Sequence, residues 1–479
     1  MVQMTYYQYA SRRLPKLKLE TLQERFEENL TDAEQAVVDF KGTSVYFKAM
    51  QRYAASLNQK NIKVRPIKFQ GKEIIPVDKI TDIYYSFNEN YKLGNRLQAT
   101  KERLMRMLQG RVGSEMREQW VEDTVQSLSK EEYDTLLGDN PREFASDEQE
   151  FNTLARLIVQ QAMAPIAKGV NRNRFININA QFVHFLKSVP QLVDLSAHHI
   201  SAEQWQISVT ATVNAMRHGE LSLVDMTPFM LLYDLIKGSH GERDIRFVFI
   251  DEIQDYTPFQ LAFLKYSFPK ARFTMLGDLN QAIFTKENAV SLQKELAALF
   301  DPELSEYIQL TQTYRSTQQI TDFSKAVLIN GAQIDAFDRV GEKPTMRVVA
   351  DQAELVQATL TQLARNDAAK ETTAIITKTL AQAEEAYAQL REAAQVTIIR
   401  TENQRLVPGT IIVPAYLAKG LEFDAVIMWN ASEESYHGDN ERQLVYTIAS
   451  RAMHQLTIYG VGNITSLLDV DKSLYIEEK

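Results

Sequence analysis

The chain has 479 residues, 44% hydrophobic and 24% charged, with no Cys, 18 Gly and 13 Pro. At ~150 residues per domain there is room for about three domains. This composition excludes a wholly disordered chain, a collagen-like or low-complexity chain, a disulfide scaffold, a Cys-ligated zinc module and a thiolate nucleophile.

Lys and Arg number 53 against 62 Asp and Glu, a net charge of −9. A protein that wraps nucleic acid usually carries a basic excess, so the balance favours a protein partner or a nucleotide ligand. No apolar run approaches the ~18–20 residues that span a bilayer. The first residues lack the apolar core and small-residue site of a secretory signal. A soluble, cytoplasmic protein without membrane contact is expected.

Along the chain, Arg12, Arg13, Lys16 and Lys18 read as a basic, solvated loop. From Thr31 to Gly219 the pattern is mostly helical. Thr31-Asp-Ala-Glu34, Ser129-Lys-Glu-Glu132 and Ser201-Ala-Glu-Gln204 are capping boxes, and Gly42, Gly138 and His218-Gly219 are stops. Between them, Leu97 to Leu128 predicts a long charged helical stretch broken at Gly110 and Gly113. Its basic residues Arg96, Lys101, Arg103, Arg106, Arg111 and Arg117 read either as a solvated face or as a polyanion-facing arm. One β-type piece, Ile62–Phe69 followed by Lys72–Val77, interrupts the helices.

After about Leu223 short β-branched or aromatic runs alternate with helical segments. The runs start at Arg246, Arg272, Tyr307, Met346, Thr373, Val396, Thr410, Ala425 and Leu456. Apolar strands with helical crossovers predict an α/β fold with a parallel sheet covered on both faces. In such sheets ligands gather at the carboxyl ends of strands.

Five segments carry chemistry. Phe247-Val-Phe-Ile250 runs into Asp251-Glu252-Ile-Gln-Asp255. Adjacent carboxylates after an apolar strand suit Mg²⁺ coordination and polarisation of a water, and the plain alternative is an acidic turn. The next strand ends in Gly277-Asp278-Leu-Asn-Gln281, where Gln281 can bond a γ-phosphate and a water, or Asp278 simply caps a helical turn. Tyr314-Arg315-Ser316 follows, an aromatic face beside a cation, or a surface pair. Then comes Lys419-Gly420-Leu-Glu422 between two apolar runs. Last, Leu444–Ala452 predicts an apolar helix with Arg451 deep in it, and a buried Arg needs an anionic partner.

In this order the five segments resemble motifs II to VI of superfamily 1 helicases of the UvrD/Rep type. Asp255–Lys265, Gly277–Gln281 and Leu221–Tyr233 are most similar to the HelD-like, RNA polymerase-associated branch. The resemblance implies two RecA-like domains, the first incomplete and carrying a mostly helical insertion. The implied division is 1–30 as a remnant of the first RecA-like domain, 31–219 as the insertion or arm, 220–305 as the rest of the first domain, and 306–479 as the second.

It further implies ATP and Mg²⁺ as cofactors. Asp251 would bind Mg²⁺, and Glu252 would be the catalytic base. Gln281 would sense the γ-phosphate, with Gly277 and Asp278 in its loop. Tyr314 would stack on adenine, Arg315 would contact the γ-phosphate, and Arg451 would be an arginine finger. Glu422 would touch the ribose, with Lys419 and Gly420 at the domain cleft. The implied target is RNA polymerase, and the alternatives are DNA unwound by a repair helicase or an inactive binding protein.

One departure stands out. The family needs a Gly-x4-Gly-Lys-Ser/Thr loop, whose backbone N–H groups cradle phosphates. The only Gly-Lys pair is Gly71-Lys72, with Pro66 and Glu73 where the first Gly and the hydroxyl belong. Met1–Tyr9 resembles a segment that follows that loop, so the chain is expected to lack it and to hydrolyse ATP weakly or not at all.

Overall fold

The computed structural model describes residues 4–478 apart from 89, 139–143, 239–240, 283–288, 311, 330, 332–333, 402–403 and 405–408. The chain divides into two compact units. One comprises Met1–Leu19, Thr31–Asp244 and Ala262–Lys270, and the other Glu20–Leu30, Ile245–Leu261 and Ala271–Lys479. Among the described residues no helix is long and apolar enough to cross a membrane.

The first unit is mostly helical. All three predicted capping boxes form, opening helices Asp32–Lys41, Lys130–Leu137 and Ala202–Arg217. Each satisfies two backbone N–H groups that a helix start leaves orphaned. A fourth box, Thr5 with Gln8, opens helix Tyr6–Arg13, so the basic run does not begin as a solvated loop. Arg13 ends that helix and lies 2.5 Å from the Asp234 carboxylate.

The short strands Lys18–Leu19 (β1), Ile67–Phe69 (β2), Lys72–Ile75 (β3) and Glu220–Leu221 (β4) pair as β1 with β4 and β2 with β3. The predicted β-type piece is thus an antiparallel hairpin, turning through Gln70 and Gly71 at φ 50° and 76°. Gly71-Lys72 belongs to that tight turn and heads no helix, so it is no phosphate loop.

The expected breaks at Gly110 and Gly113 do not occur. Helix Leu93–Glu115 runs through both, followed by a separate helix Gln119–Gln126. Each glycine costs about 1 kcal/mol relative to Ala. Val112 and Met116 offset this by packing on Phe69, Val121, Ala155, Val159 and Met163. Of the basic run, Arg103, Arg106, Arg111 and Arg117 are exposed, and Arg96 is the exception. Arg96 is 1% exposed and donates to the carbonyls of Tyr84, Phe87 and Asn88. Arg111 pairs with Glu115 at 2.9 Å.

The second unit carries strands Phe247–Ile250 (β5), Arg272–Met275 (β6), Gln312–Thr313 (β7), Asp335–Ala336 (β8), Thr345–Val349 (β9), Thr373–Thr377 (β10), Val396–Ile398 (β11), Thr410–Pro414 (β12), Phe423–Met428 (β13), Ala452–Val461 (β14) and Ile476–Glu478 (β15). Seven of them form a sheet in the order β11-β12-β10-β13-β14-β9-β15, every pair parallel. The α/β class expected from the sequence holds.

Alternate residues of the sheet feed opposite cores. Ala374, Ile376, Ile411, Val413, Val426 and Met428 face one side. Ile375, Ile412, Ile427 and Trp429 face the other, against Leu355, Leu363, Ala383 and Leu390 of helices Gln352–Ala369 and Leu380–Leu390. This is why the central strands read as unbroken apolar runs rather than as alternation.

β5 and β6 form a separate, two-stranded parallel sheet. Residues 305–310, expected to contain a strand, are exposed and lie outside any sheet, and only β7 just beyond them pairs, with β8. Helix Leu22–Glu27 belongs to this unit, with Phe26 against Tyr416 at a ring distance of 5.3 Å.

Candidate functional site

The predicted site residues gather within the second unit, where the ends of β5 and β6 meet the large sheet. β5 delivers Asp251, exposed, and Glu252, which sits in the left-handed region at φ 53°. The Glu252 N–H donates to Asp251 Oδ1 at 3.0 Å, and Gln254 Nε2 donates to Glu252 Oε2 at 2.6 Å. A non-Gly residue in that conformation is uncommon and clusters at functional sites.

β6 ends on Gly277. A Cβ there would collide with the Gln254 side chain and lie 2.9 Å from the Ile253 nitrogen. Glycine therefore lets the two loops close, with Ile253 N–H bonded to the Leu276 carbonyl at 2.9 Å. Asp278 caps the short turn Leu279–Gln281 by accepting from Asn280 N–H at 3.0 Å. It also accepts from Gln281 Nε2 at 2.8 Å and from the Tyr446 hydroxyl at 3.4 Å.

Lys419 connects these loops to the large sheet. Its side chain is 7% exposed. Nζ lies 2.7 Å from both Asp255 oxygens, 2.9 Å from the Gln281 carbonyl and 3.8 Å from Glu252 Oε2. Gly420 lies next to Glu252, since a Cβ on it would be 3.9 Å from Oε1.

Arg451 makes a second connection. Buried at 1% exposure, it donates to the Gln281 side-chain oxygen, to the Thr447 carbonyl at 3.0 Å and to the Leu421 carbonyl at 3.3 Å. Burial first, then the charge of Arg315, pushes its pKa down to about 10, against the opposing pull of Glu252, Tyr446 and Asp278. Among the described residues no carboxylate bonds this buried guanidinium, which is costly and marks the position as suited to receive an anion.

Arg315, Glu422 and Tyr314 lie at the margin of this core, with Arg315 close enough for its charge to act on Arg451. Arg315 is bonded to Glu422 at 2.5 Å, both partly exposed. Tyr314 is 63% exposed and stacks at a tilt on Phe337, 4.9 Å between ring centres.

Two features differ from expectation. The residues from the large sheet lie at the amino ends of its strands. Glu422 immediately precedes β13, and Arg451 immediately precedes β14 and accepts the Phe423 N–H bond through its carbonyl. Asp251, Glu252, Gly277, Asp278 and Gln281 follow the carboxyl ends of β5 and β6, and Tyr314 and Arg315 that of β7, so the cleft joins the carboxyl edge of the small sheet to the amino edge of the large one. The second is Asp255, which the motif reading quoted but gave no role. It is the principal anion for Lys419, and its signal was the second carboxylate of Asp-Glu-x-x-Asp at a strand end.

Residues 411–459 match the UvrD-like helicase C-terminal domain family. The chain contains a UvrD-like helicase domain. That domain supplies β12, β13, β14 and, within the matched span, Lys419, Gly420, Glu422 and Arg451.

Over 166 residues the chain is 25% identical to an ATP-dependent helicase/nuclease subunit of Oenococcus oeni, covering 33% of this chain and 14% of that one. The chain thus spans about one seventh of that relative's length. A solved structure of the C-terminal domain of a possible DNA helicase from Lactobacillus plantarum WCFS1 is 50% identical, covering 35% of this chain and 99% of that one, at a TM-score of 0.32. Dbp5 of S. cerevisiae, bound to RNA and ADP–BeF3, is 11% identical and matches 54% of this chain and 65% of its own, at a TM-score of 0.35.

The chain fits Mg²⁺ and ATP only in part. Asp251 and Glu252 are suitable hard-oxygen donors at a strand end, and Arg315, Arg451 and Lys419 supply positive charge. Among the described residues no three His, Asp or Glu side chains form a ready metal cluster. The sequence has no Gly-x4-Gly-Lys-Ser/Thr segment to cradle the phosphates. No hydrolytic step follows from these residues alone.

Proposed function

We propose that this chain is the motor portion of a UvrD-like superfamily 1 helicase or translocase, an ATP- and Mg²⁺-dependent machine of the HelD-like kind that remodels or recycles RNA polymerase. The observation that carries the motor reading is the pair of buried cations, Lys419 and Arg451, that tie the UvrD-like domain to the Asp251–Asp255 and Gly277–Gln281 loops. In this reading Asp251 holds Mg²⁺, Glu252 orients water, and Gln281 reports the phosphate state to Arg451. Arg315 and Arg451 turn from Glu422 and Gln281 to phosphate, Tyr314 offers its ring to the base, and Glu422, once released, reaches the ribose.

Charge supports a protein target over DNA. The chain carries −9, and two of the six basic residues of the helical stretch, Arg96 and Arg111, are engaged internally. The test uses the full chain as bait for purified RNA polymerase, in parallel with a fork-DNA unwinding assay on a form carrying a P-loop. Stoichiometric polymerase capture without unwinding is expected. Unwinding without capture supports a DNA helicase instead, and neither supports an inactive binding protein.

A further inference from the structure

β10 and β13 are neighbours in the large sheet, and the chain leaves them in opposite directions. From β10 the helix Leu380–Leu390 leads to β11 on one side, packed in the core with Ile375 and Trp429. From β13 the helix Arg442–Ala449 leads to β14 on the other side, packed in the opposite core. Neighbouring strands that part in this way open a crevice at their carboxyl ends, the usual place for a ligand in an open α/β sheet. The motif residues Glu422 and Arg451 lie at the other, amino edge of this sheet.

Charged groups line the carboxyl edge at this point. Lys378 directly follows β10, and its Nζ donates to Glu441 at 2.6 Å and to the Ser435 carbonyl at 2.8 Å, over the Tyr436 ring. Leu380 opens its helix, and its N–H donates to Glu27 Oε1 at 2.7 Å. A carboxylate therefore sits at the end of the helix that attracts anions. Beside it, Phe26 packs on Tyr416, which follows β12.

Glu27 reaches this edge on a detour of the chain. Residues 20–30 belong to the second unit, while the chain on both sides of them belongs to the first. The flanks are fixed, since Lys18 and Leu19 pair with β4 and Thr31 caps helix Asp32–Lys41. The detour itself is lightly held. Helix Leu22–Glu27 has no fully buried residue, and its capping box, Thr21 with Glu24, is local. Elements with little burial open at low free-energy cost. Fixed ends and a lightly held middle make a segment that can release and return.

We infer that helix Leu22–Glu27 is a releasable strap over the crevice between β10 and β13, with Glu27 standing in for the anion of a phosphate-bearing ligand. When the strap lets go, the Leu380 N–H and Lys378 are the donors that a phosphate meets. With the strap in place, the chain's own carboxylate holds that position. The strap is independent of the motor reading above.

The test compares the 479-residue chain with its Glu27→Ala and Phe26→Ala variants. Hydrogen–deuterium exchange of the Leu380 amide should quicken about tenfold in both, the scale of one charge-assisted hydrogen bond. A fluorescent single-stranded oligothymidylate, followed by anisotropy, should bind both variants about tenfold more tightly than the parent chain. Lys378→Gln added to Glu27→Ala should cancel that gain. Glu27→Gln, which keeps the size and removes the charge, should repeat the gain without a change in packing. Inorganic pyrophosphate forms the second arm. Slowed Leu380 exchange in Glu27→Ala on adding either probe upholds the strap, and the probe that acts shows whether the crevice takes a nucleic-acid backbone or a free phosphate. Unchanged Leu380 exchange in both variants overturns the strap. So does quickened exchange with no tighter binding and no protection by either probe, because the contact is then only structural. A gain that survives Lys378→Gln places the binding elsewhere and overturns it as well.

Discussion

The two sheets of the second unit are built from the same kind of sequence and reach opposite ends. β10 reads Thr-Ala-Ile-Ile-Thr and is buried at every position. β5 reads Phe-Val-Phe-Ile and is buried only at Ile250. β10 has parallel neighbours on both edges and a helical layer on each face, whereas among the described residues β5 has one neighbour and exposes Phe247 and Phe249. Strand propensity is therefore a statement about neighbours, and equal hydrophobicity contributes little where nothing covers it.

The sharpest break between the two sheets is a pair of truncations. Ile427→Ala, in the middle of the large sheet, should lower unfolding stability by about 2–5 kcal/mol, the range for buried aliphatic truncations. Phe249→Ala on the bare face should change it by no more than about 0.5 kcal/mol. Urea unfolding of both variants checks this, and equal costs would dissolve the distinction.

Next in size is the tie between the sheets. Lys419→Met should cost about 3–5 kcal/mol, because it strands Asp255 beside an apolar chain. Asp255→Asn should cost less, and a double-mutant cycle should return a favourable coupling. Additive losses would mean that the pair does not hold the small sheet in place.

Gly277→Ala probes the small sheet alone. The added methyl group meets Gln254 and Ile253, so a loss of about 1–3 kcal/mol is expected. Local exchange at Ile253 should quicken while β10 stays protected.

The smallest effect is acid dependence near the amino edge of the large sheet. Burial raises the Asp424 pKa, but bonds from Thr372 and the adjacent His454 outweigh it and hold the carboxyl below its ordinary value. The stability this gives is present above the unfolded-state pKa of about 3.9 and fades as pH falls through the folded value. Asp424→Asn should therefore lower stability modestly at neutral pH, matter least in acid, and so flatten the acid limb of stability against pH.

Much of this was legible in the sequence. The capping boxes at Thr31, Ser129 and Ser201 rest on local hydrogen bonds, so a four-residue pattern sufficed to predict each. The strands of the large sheet were legible because burial on both faces leaves an unbroken apolar run. Five motif segments converge because each lies at an element end. What was not legible depended on distant partners. Arg96 looks like a solvated cation until the Tyr84–Asn88 carbonyls surround it. Tyr307–Leu310 reads as a strand, yet pairs with nothing described. Asp255 acquires its partner from a residue 164 positions later.

The proposed motor reading assigns Asp251, Glu252 and Arg451 to a nucleotide site for which the sequence has no Gly-x4-Gly-Lys-Ser/Thr loop. Steady-state ATP hydrolysis by the purified 479-residue chain, with Mg²⁺ and with Glu252→Gln as control, tests it most directly. The expected result is turnover indistinguishable from the Glu252→Gln control. Robust turnover that Glu252→Gln abolishes would contradict it.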